Sequence, residues 1–345
     1  MKRRLGYSDL QVSPICLGSM TWGSQNSEAE GYAQLDLALD MGVDFIDTAE
    51  MYPTPRSPKT YGRTEEIIGD WLKSRKCRDR IVLASKVSGP DLTPGLRPGK
   101  IRLDRQNIEA AIDQSLKRLN TDYLDLYQLH WPDRKANFFG KLGYGIEEDD
   151  QGTVPVAETL GVLDDLVKAG KVRLVGLSNE TPWGVMRYLE LSRQGKGPRI
   201  VSIQNPYSLL NRTFEIGLAE ISHREGIGLL AYSSLAMGVL TGKYLNGATP
   251  PGARLTLHPG FSRYSNPEAQ KATQRYVELA REAGLDPAQM ALAYVVSRPF
   301  TTAVILGATS VDQLRRDIES RDLTLGDDLL KAIEAIHVAQ PNPAP

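Results

Sequence analysis

The 345-residue sequence predicts an α/β chain closed into a (β/α)8 barrel. Eight short apolar runs recur along it, at 15–17, 43–46, 81–86, 124–129, 172–177, 200–203, 227–231 and 303–306. Each is followed by a segment of helical period. The runs are apolar throughout, as in strands covered on both faces. The chain reads as one domain over residues 1–345, a length that suits such a barrel with insertions. An open doubly wound sheet would call for G-x-G-x-x-G after the first strand, and Leu17-Gly18-Ser19-Met20-Thr21 does not match it.

Residues 2–12 alternate around Gly6-Tyr7-Ser8-Asp9 and predict an N-terminal β-hairpin capping one end. The first strand, at Ile15-Cys16-Leu17, runs into a loop with Trp22. Ser27 predicts an N-cap for a helix to Met41, with Ala29, Tyr32, Ala33 and Leu39 on its apolar side. Gly42 predicts the helix stop before Val43-Asp44-Phe45-Ile46. A helix with acids in its first turn begins at Thr64, and Asp104 predicts the cap of another running to about Leu119. After the fourth strand, residues 131–155 form a long loop without period, a kind that is usually functional. Helices follow at 156–169, 182–193 and 213–225. A second long loop, 233–266, follows the seventh strand. Helices at 267–283, 287–297, 311–319 and near 326–338 complete the pattern, and Gln340 to Pro345 read as a frayed tail.

Forty-one basic residues against 42 acidic ones exclude a general polycation, so neither nucleic acid nor a membrane surface is an expected partner. Cys16 and Cys77 stand far apart, without CxxC spacing, which points to a reducing compartment. The basic start lacks the roughly 7–15-residue apolar core of a signal peptide, and no run approaches the ~20 apolar residues of a membrane helix. The expectation is a cytoplasmic protein. Its oligomeric state is not readable. The four histidines, at 130, 223, 258 and 337, show no metal-binding spacing, so no metal is expected. Gly238-Val239-Leu240-Thr241-Gly242-Lys243 falls one residue short of a P-loop, and Ser233 and Ser234 lack a nucleophile-elbow context.

Three successive strands end in chemically capable residues: Asp47 and Tyr52, then Lys86, then His130. Sites on such barrels lie at these strand ends. A phenol is a weak acid at neutral pH, and a nearby ammonium lowers its pKa. Lys86 is expected to do this for Tyr52, with Asp47 keeping Lys86 charged and oriented. His130 is placed to hydrogen-bond a substrate oxygen. Such a set delivers a proton to an oxygen becoming an alkoxide, as carbonyl reduction requires, and the hydride must then come from a cofactor. The bland alternatives are a structural Asp–Lys pair, a rim tyrosine and a satisfied buried histidine.

The stretch Gly42 to Tyr52 resembles the G-[VI]-[ND]-x-[FI]-D-T-A-x-x-Y signature of the aldo-keto reductase superfamily. Lys86, Leu129-His130, Leu177-Ser178-Asn179, Gln204, Ala231-Tyr232-Ser233 and Ile305-Leu306-Gly307-Ala308 are similar to its other motifs. The segments Phe139 to Tyr144 and Gly176 to Thr181 resemble its bacterial Tas-like branch. The resemblance spans nearly the whole chain. It implies a TIM barrel that binds NADP(H) without a Rossmann fold and reduces a small-molecule aldehyde or ketone. Tyr52 would be the proton donor, assisted by Asp47, Lys86 and His130. Ser178, Asn179 and Gln204 would hold the carboxamide and Tyr232 would stack on the nicotinamide. Gly18, Met20, Thr21 and Asp47 would border the cofactor, while Ser233, Leu235, Gly238, Leu240, Lys243 and Arg254 would line the pyrophosphate. Lys243 and Arg254 read equally as solvated surface charges. Gly307, Thr309, Ser310 and Gln313 would meet the adenosine ribose and its 2′-phosphate at a helix N-terminus. Arg316 and Asp317 depart from the family's usual Glu and Asn at the adenine. Arg315 or Arg316 suits a 2′-phosphate and Asp317 opposes one. Trp22, Tyr52, His130 and Trp131 are expected around the substrate, with Trp131 also readable as a rim aromatic. The competing expectation is a nucleotide-sensing regulatory subunit with slow or no turnover.

Overall fold

A computed structural model describes residues 1–145 and 152–345. Eight parallel strands close into a barrel: β1 (Ile15–Gly18), β2 (Phe45–Asp47), β3 (Val82–Val87), β4 (Leu124–Leu129), β5 (Val172–Ser178), β6 (Ser202–Pro206), β7 (Gly228–Tyr232) and β8 (Thr301–Leu306). Each pairs with its neighbour in sequence, and β8 closes on β1 with Val304 opposite Ile15. The expected hairpin is a two-stranded antiparallel sheet of Arg3–Arg4 and Gln11–Val12.

The outer helices are α1 (Glu28–Asp40), α2 (Arg63–Arg75), α3 (Arg105–Arg118), α4 (Val156–Lys168), α5 (Pro182–Arg193), α6 (Leu218–Glu225), the short α7 (Arg254–Leu257), α8 (Pro267–Glu282), α9 (Pro287–Ser297), α10 (Val311–Glu319) and α11 (Asp327–Ala339). Ser27 caps α1 in a reciprocal capping box with Glu30, and Asp104 caps α3 through the Asn107 N–H. Gly42, at φ +74°, ends α1: its N–H reaches Leu39 O and that of Val43 reaches Ala38 O.

Three local expectations are corrected. Helix α1 buries Gly31, Gln34, Leu35, Leu37 and Ala38, and Ala29 and Ala33 face solvent. Weak amphipathicity and a buried polar Gln34 hid the true face. The expected helix over 213–225 is broken at Gly217 (φ +93°) into a 3-10 turn, Thr213–Glu215, and α6. The tail is not frayed. Ala344 N–H donates to Leu210 O, Arg212 N–H to Asn342 Oδ1 and Asn266 Nδ2 to Pro343 O, with Ala344 buried. The loop expected over 131–155 lies partly outside the described residues, at 146–151.

Side chains alternate across each strand. One parity packs outward against the helices through Leu17, Ile46, Leu83, Tyr127 and Leu177. The other fills the barrel interior with Cys16, Phe45, Val82, Ala84, Leu126 and Leu230, and Leu5 and Val12 near the hairpin join it. Continuing that inward parity towards the strand C-termini turns apolar residues into polar ones. Phe45 leads to Asp47, Ala84 to Lys86, Leu126 to Gln128 and Leu230 to Tyr232. The register aligns this layer: Asp47 sits opposite Ala84, Lys86 opposite Gln128, and Ser178 opposite Gln204.

Candidate active site

The polar layer floors a cavity of ≈ 1560 Å³ at the C-terminal end of the barrel. At its centre Lys86, fully buried, donates from Nζ to Asp47 Oδ2 (2.5 Å) and to Thr48 O (2.8 Å). Asp47 Oδ1 accepts from Gln128 Nε2 (3.0 Å) and Gln204 Nε2 (2.9 Å). The carboxylate is therefore bonded through both oxygens in a dry site, which makes the buried pair tolerable. Burial alone would push the Lys86 ammonium down, but Asp47 and the Tyr52 phenol raise it above its ordinary value.

The Lys86 Nζ lies 5.0 Å from the Tyr52 ring centroid. Its ammonium pulls the phenol's pKa down, as expected, but burial outweighs it and the net direction is up. Tyr52 is thus a neutral phenol holding its proton. The His130 ring meets Tyr52 edge-on at 5.8 Å between centroids. Burial, Lys86 and Arg56 together push the imidazole well below its ordinary range, so it is neutral. Its Nδ1 is buried without a hydrogen-bond partner among the described residues. A neutral imidazole and a neutral phenol at one spot can each present one hydrogen to an oxygen.

Trp131 lies 4.9 Å from His130 between ring centroids, donates from Nε1 to Pro90 O, and borders the cavity. On the opposite side Tyr232 donates from its hydroxyl to Asn179 Oδ1 (2.6 Å). Asn179 Nδ2 donates to His130 O and Ser178 Oγ, and Ser178 Oγ donates to Gln204 O. Gln204 Oε1 accepts no hydrogen bond from the described residues. Asn179 and Ser233 sit at φ +54° and +55°, a strained region for non-glycine residues that aims both strand ends into the cavity.

The far end of the cavity is cationic. Lys243 and Arg316 line it, and burial with repulsion from Arg254 and Arg316 pushes Lys243 below its usual value; Arg254, which lines the cavity within reach of Tyr52, is pushed below its own by burial. Asp317 is the nearby acid. Burial pushes its carboxyl up to about 6, and Oδ1 is buried without a hydrogen bond from the described residues, 3.9 Å from Arg316 Nε. Thr309 and Gln313 line the same end, with Gln313 Oε1 accepting from Thr309 N–H and Oγ1.

Most expected residues border this cavity: Gly18, Met20, Asp47, Tyr52, His130, Trp131, Ser178, Asn179, Gln204, Tyr232, Ser233, Leu235, Gly238, Lys243, Arg254, Gly307, Thr309, Gln313, Arg316 and Asp317. Lys86 lies just beneath it. Four others do not line it. Trp22 is fully buried, donates from Nε1 to Gln34 Oε1 and packs beside Gly31 of α1. Thr21 spends its hydroxyl on Asn26 Oδ1. Leu240 is core. Ser310 caps α10 by accepting from Gln313 N–H and is exposed. The family resemblance implied Thr21, Leu240 and Ser310, and the loop after the first strand suggested Trp22; side-chain direction keeps all four out of the lining. Gln128 was missed. Its signal was present: it stands one inward step before His130 and one after Leu126.

A model of the "Aldo/keto reductase family" matches residues 14–338. The chain belongs to the aldo/keto reductase family. "Protein tas" of Escherichia coli (strain K12) is 55% identical over 344 residues, covering 99% of each chain. The "Uncharacterized oxidoreductase YrpG" of Bacillus subtilis (strain 168) is 32% identical over 336 residues, 96% of this chain and 94% of that one. An "L-glyceraldehyde 3-phosphate reductase" of E. coli (strain K12) is 31% identical over 347 residues, 98% of this chain and 92% of that one. Together they make this aldo/keto reductase an oxidoreductase acting on aldehyde or ketone groups. No helix among its described residues is long and apolar enough to cross a membrane.

Proposed function

We propose that this aldo/keto reductase reduces aldehydes and ketones to alcohols using NADPH in preference to NADH, with Tyr52 as the proton donor. The observation that carries the reading is the buried Asp47–Lys86 pair set beside a neutral Tyr52 phenol, with a neutral His130 on its other side. NADPH, when bound, supplies the hydride. Its recognition fits the residues present: Tyr232 offers a flat face, Gln204 Oε1 an unspent acceptor for a carboxamide, and Lys243, Arg254 and Arg316 charge for phosphates. Arg316 favours a 2′-phosphate and ionised Asp317 opposes it. Equal dissociation constants for NADPH and NADH would remove that preference from the proposal.

The carbonyl oxygen would accept hydrogen bonds from the Tyr52 hydroxyl and the His130 N–H. As negative charge grows on it, the Tyr52 proton moves to that oxygen. The Lys86 ammonium stabilises the phenolate left behind, and Asp47 keeps Lys86 charged and in place. The relative named for reducing L-glyceraldehyde 3-phosphate supports this reaction class. A cytoplasmic setting belongs to the same proposal, supported by the two free, buried cysteines.

The test is NADPH oxidation with 4-nitrobenzaldehyde, run beside Tyr52→Phe. Wild type should turn over, and the variant should lose on the order of 10²–10⁴-fold in rate while NADPH binding is kept. If both are inert although NADPH binds, a nucleotide-sensing role replaces the reductase reading.

A further inference from the structure

We propose that the substrate carries an anionic group, a carboxylate or a phosphate, held between Arg56 and Arg263 at the Tyr52 end of the cavity, with its body against the Trp131–Phe139 wall. The inference rests on the carbonyl-reduction reading and names the substrate class for it.

The observation is a pair of cavity arginines without a carboxylate partner among the described residues; the acid Asp91 also lines the cavity, where its charge acts on Arg102. At this end Asp47 is taken by Lys86, and Asp133 by a two-pronged contact from Arg102. Arg56 and Arg263 both line the cavity, and neither has a carboxylate partner among the described residues. Arg56 is exposed and lines the cavity beside Thr54 and Pro55, four residues after Tyr52, and its charge adds to the depression of His130. Arg263 is half-buried. Its neighbours are the Tyr232 and Tyr264 phenols and the Phe139 ring, whose centroid lies 5.7 Å from its guanidinium carbon. Burial disfavours this guanidinium, but the Tyr264 and Tyr232 phenols hold it above its ordinary value, so it stays charged without a carboxylate, and its planar fork matches a carboxylate or a phosphate. Lys243 and Arg316 at the far end, with Arg254 acting on both Lys243 and Tyr52, suit the cofactor's own phosphates and leave these two arginines unassigned.

The wall is built rather than incidental. Phe139 packs edge-on against Trp131 (6.0 Å between centroids) and Phe138 (5.1 Å). Its backbone sits at φ +55°, an uncommon conformation for a bulky residue that these contacts hold. It turns a ring towards the cavity directly beside Arg263. An apolar or aromatic body with one charged end fits this combination, and a neutral polar sugar does not.

The experiment compares two matched aldehyde pairs with NADPH: 4-carboxybenzaldehyde against benzaldehyde, and 4-formylphenyl phosphate against 4-methoxybenzaldehyde. The charged member of at least one pair should have a kcat/KM about tenfold or more above its neutral partner, the worth of one good charged contact. The winning pair tells carboxylate from phosphate. The charged-to-neutral ratio should fall with added KCl, a readout on wild type alone that survives any folding failure of a variant. It should also fall about tenfold in Arg56→Ala and in Arg263→Gln, mainly through KM, with partial recovery in Arg56→Lys. Ratios at or below one in both pairs, or a ratio blind to salt and to both substitutions, overturn the proposal. Independently of turnover, calorimetry on the NADPH-loaded protein should show benzoate or inorganic phosphate binding that weakens in the same variants. Failure of both anions to bind overturns the anion site even if every aldehyde is inert, whereas inert aldehydes with anion binding intact overturn only the reductase reading.

Discussion

Lys86 holds a charge in a place without water, and its partners decide whether that is tolerable. Replacing it by Met leaves Asp47 buried with only the Gln128 and Gln204 amides. Lys86→Met should destabilise the protein by about 3–5 kcal/mol in urea unfolding, and Asp47→Asn combined with it should restore part of that. The protonation states set a pH profile. Tyr52 has its folded pKa raised, so the phenol keeps its proton past pH 10 and reduction should fail only on the alkaline side. His130 is depressed, so no limb should appear near pH 6.5. A flat rate from pH 6.5 to 9 checks both. Asp317 behaves oppositely to a paired carboxylate. Its folded pKa is raised to about 6, so the stability it contributes is present below its ordinary value of 3.8 and is lost as pH rises through about 6. Asp317→Asn should therefore stabilise the ligand-free protein at pH 8 by on the order of 1–3 kcal/mol. It should also abolish a weakening of NADPH binding as pH rises through about 6, measured by fluorescence titration.

Two helix-interior glycines at element scale should respond to the same change with opposite signs. Gly69 of α2 lies against the end of α3: a Cβ there would meet Arg118 O at 2.0 Å and the Leu119 backbone at 2.8 Å. Gly161 of α4 has nothing within 4 Å of that point. Alanine is the better helix former at both. Gly161→Ala should raise stability by roughly 0.5–1 kcal/mol, whereas Gly69→Ala should cost about 1–3 kcal/mol by overpacking. Thermal unfolding of the pair isolates packing from propensity. Beside this contact the buried Glu65 accepts from Ser85 Oγ of β3 and pairs with Arg118 of α3. The close approach at Gly69 and this polar bridge fix α2 between β3 and α3, just after the loop that carries Tyr52 and Arg56.

Across the whole molecule the C-terminal segment ties distant parts of the shell together. Residues 342–344 bond to Leu210 and Arg212 after β6 and to Asn266, the N-cap of α8. Asn266 closes the long loop after β7, which carries Lys243, Arg254 and Arg263. Deleting residues 341–345 should cost about 2–4 kcal/mol, at roughly 1 kcal/mol per lost bond plus the burial of Ala344. It should also weaken NADPH binding, because the loop's anchor at Asn266 loosens. Chemical denaturation with and without NADPH measures both effects.

What the linear chain determined by itself was whatever repeats at short range. Eight apolar runs with helices between them, the Ser27 and Asp104 caps and the Gly42 stop are local, and each took the form its residues dictate. Asp47, Lys86 and His130 were legible because strand ends share one rim in such a barrel. Tertiary structure decided what depends on direction and on distant partners. It turned Trp22 and Leu240 into core, put Ala29 in water and pinned the tail. It let burial win over Lys86 at the Tyr52 phenol, and it brought Gln128 under Asp47. Sequence spacing carries the order of residues along a strand. Which way a loop side chain points, and how much water remains around a charge, are set only when all eight strands and their shell close together.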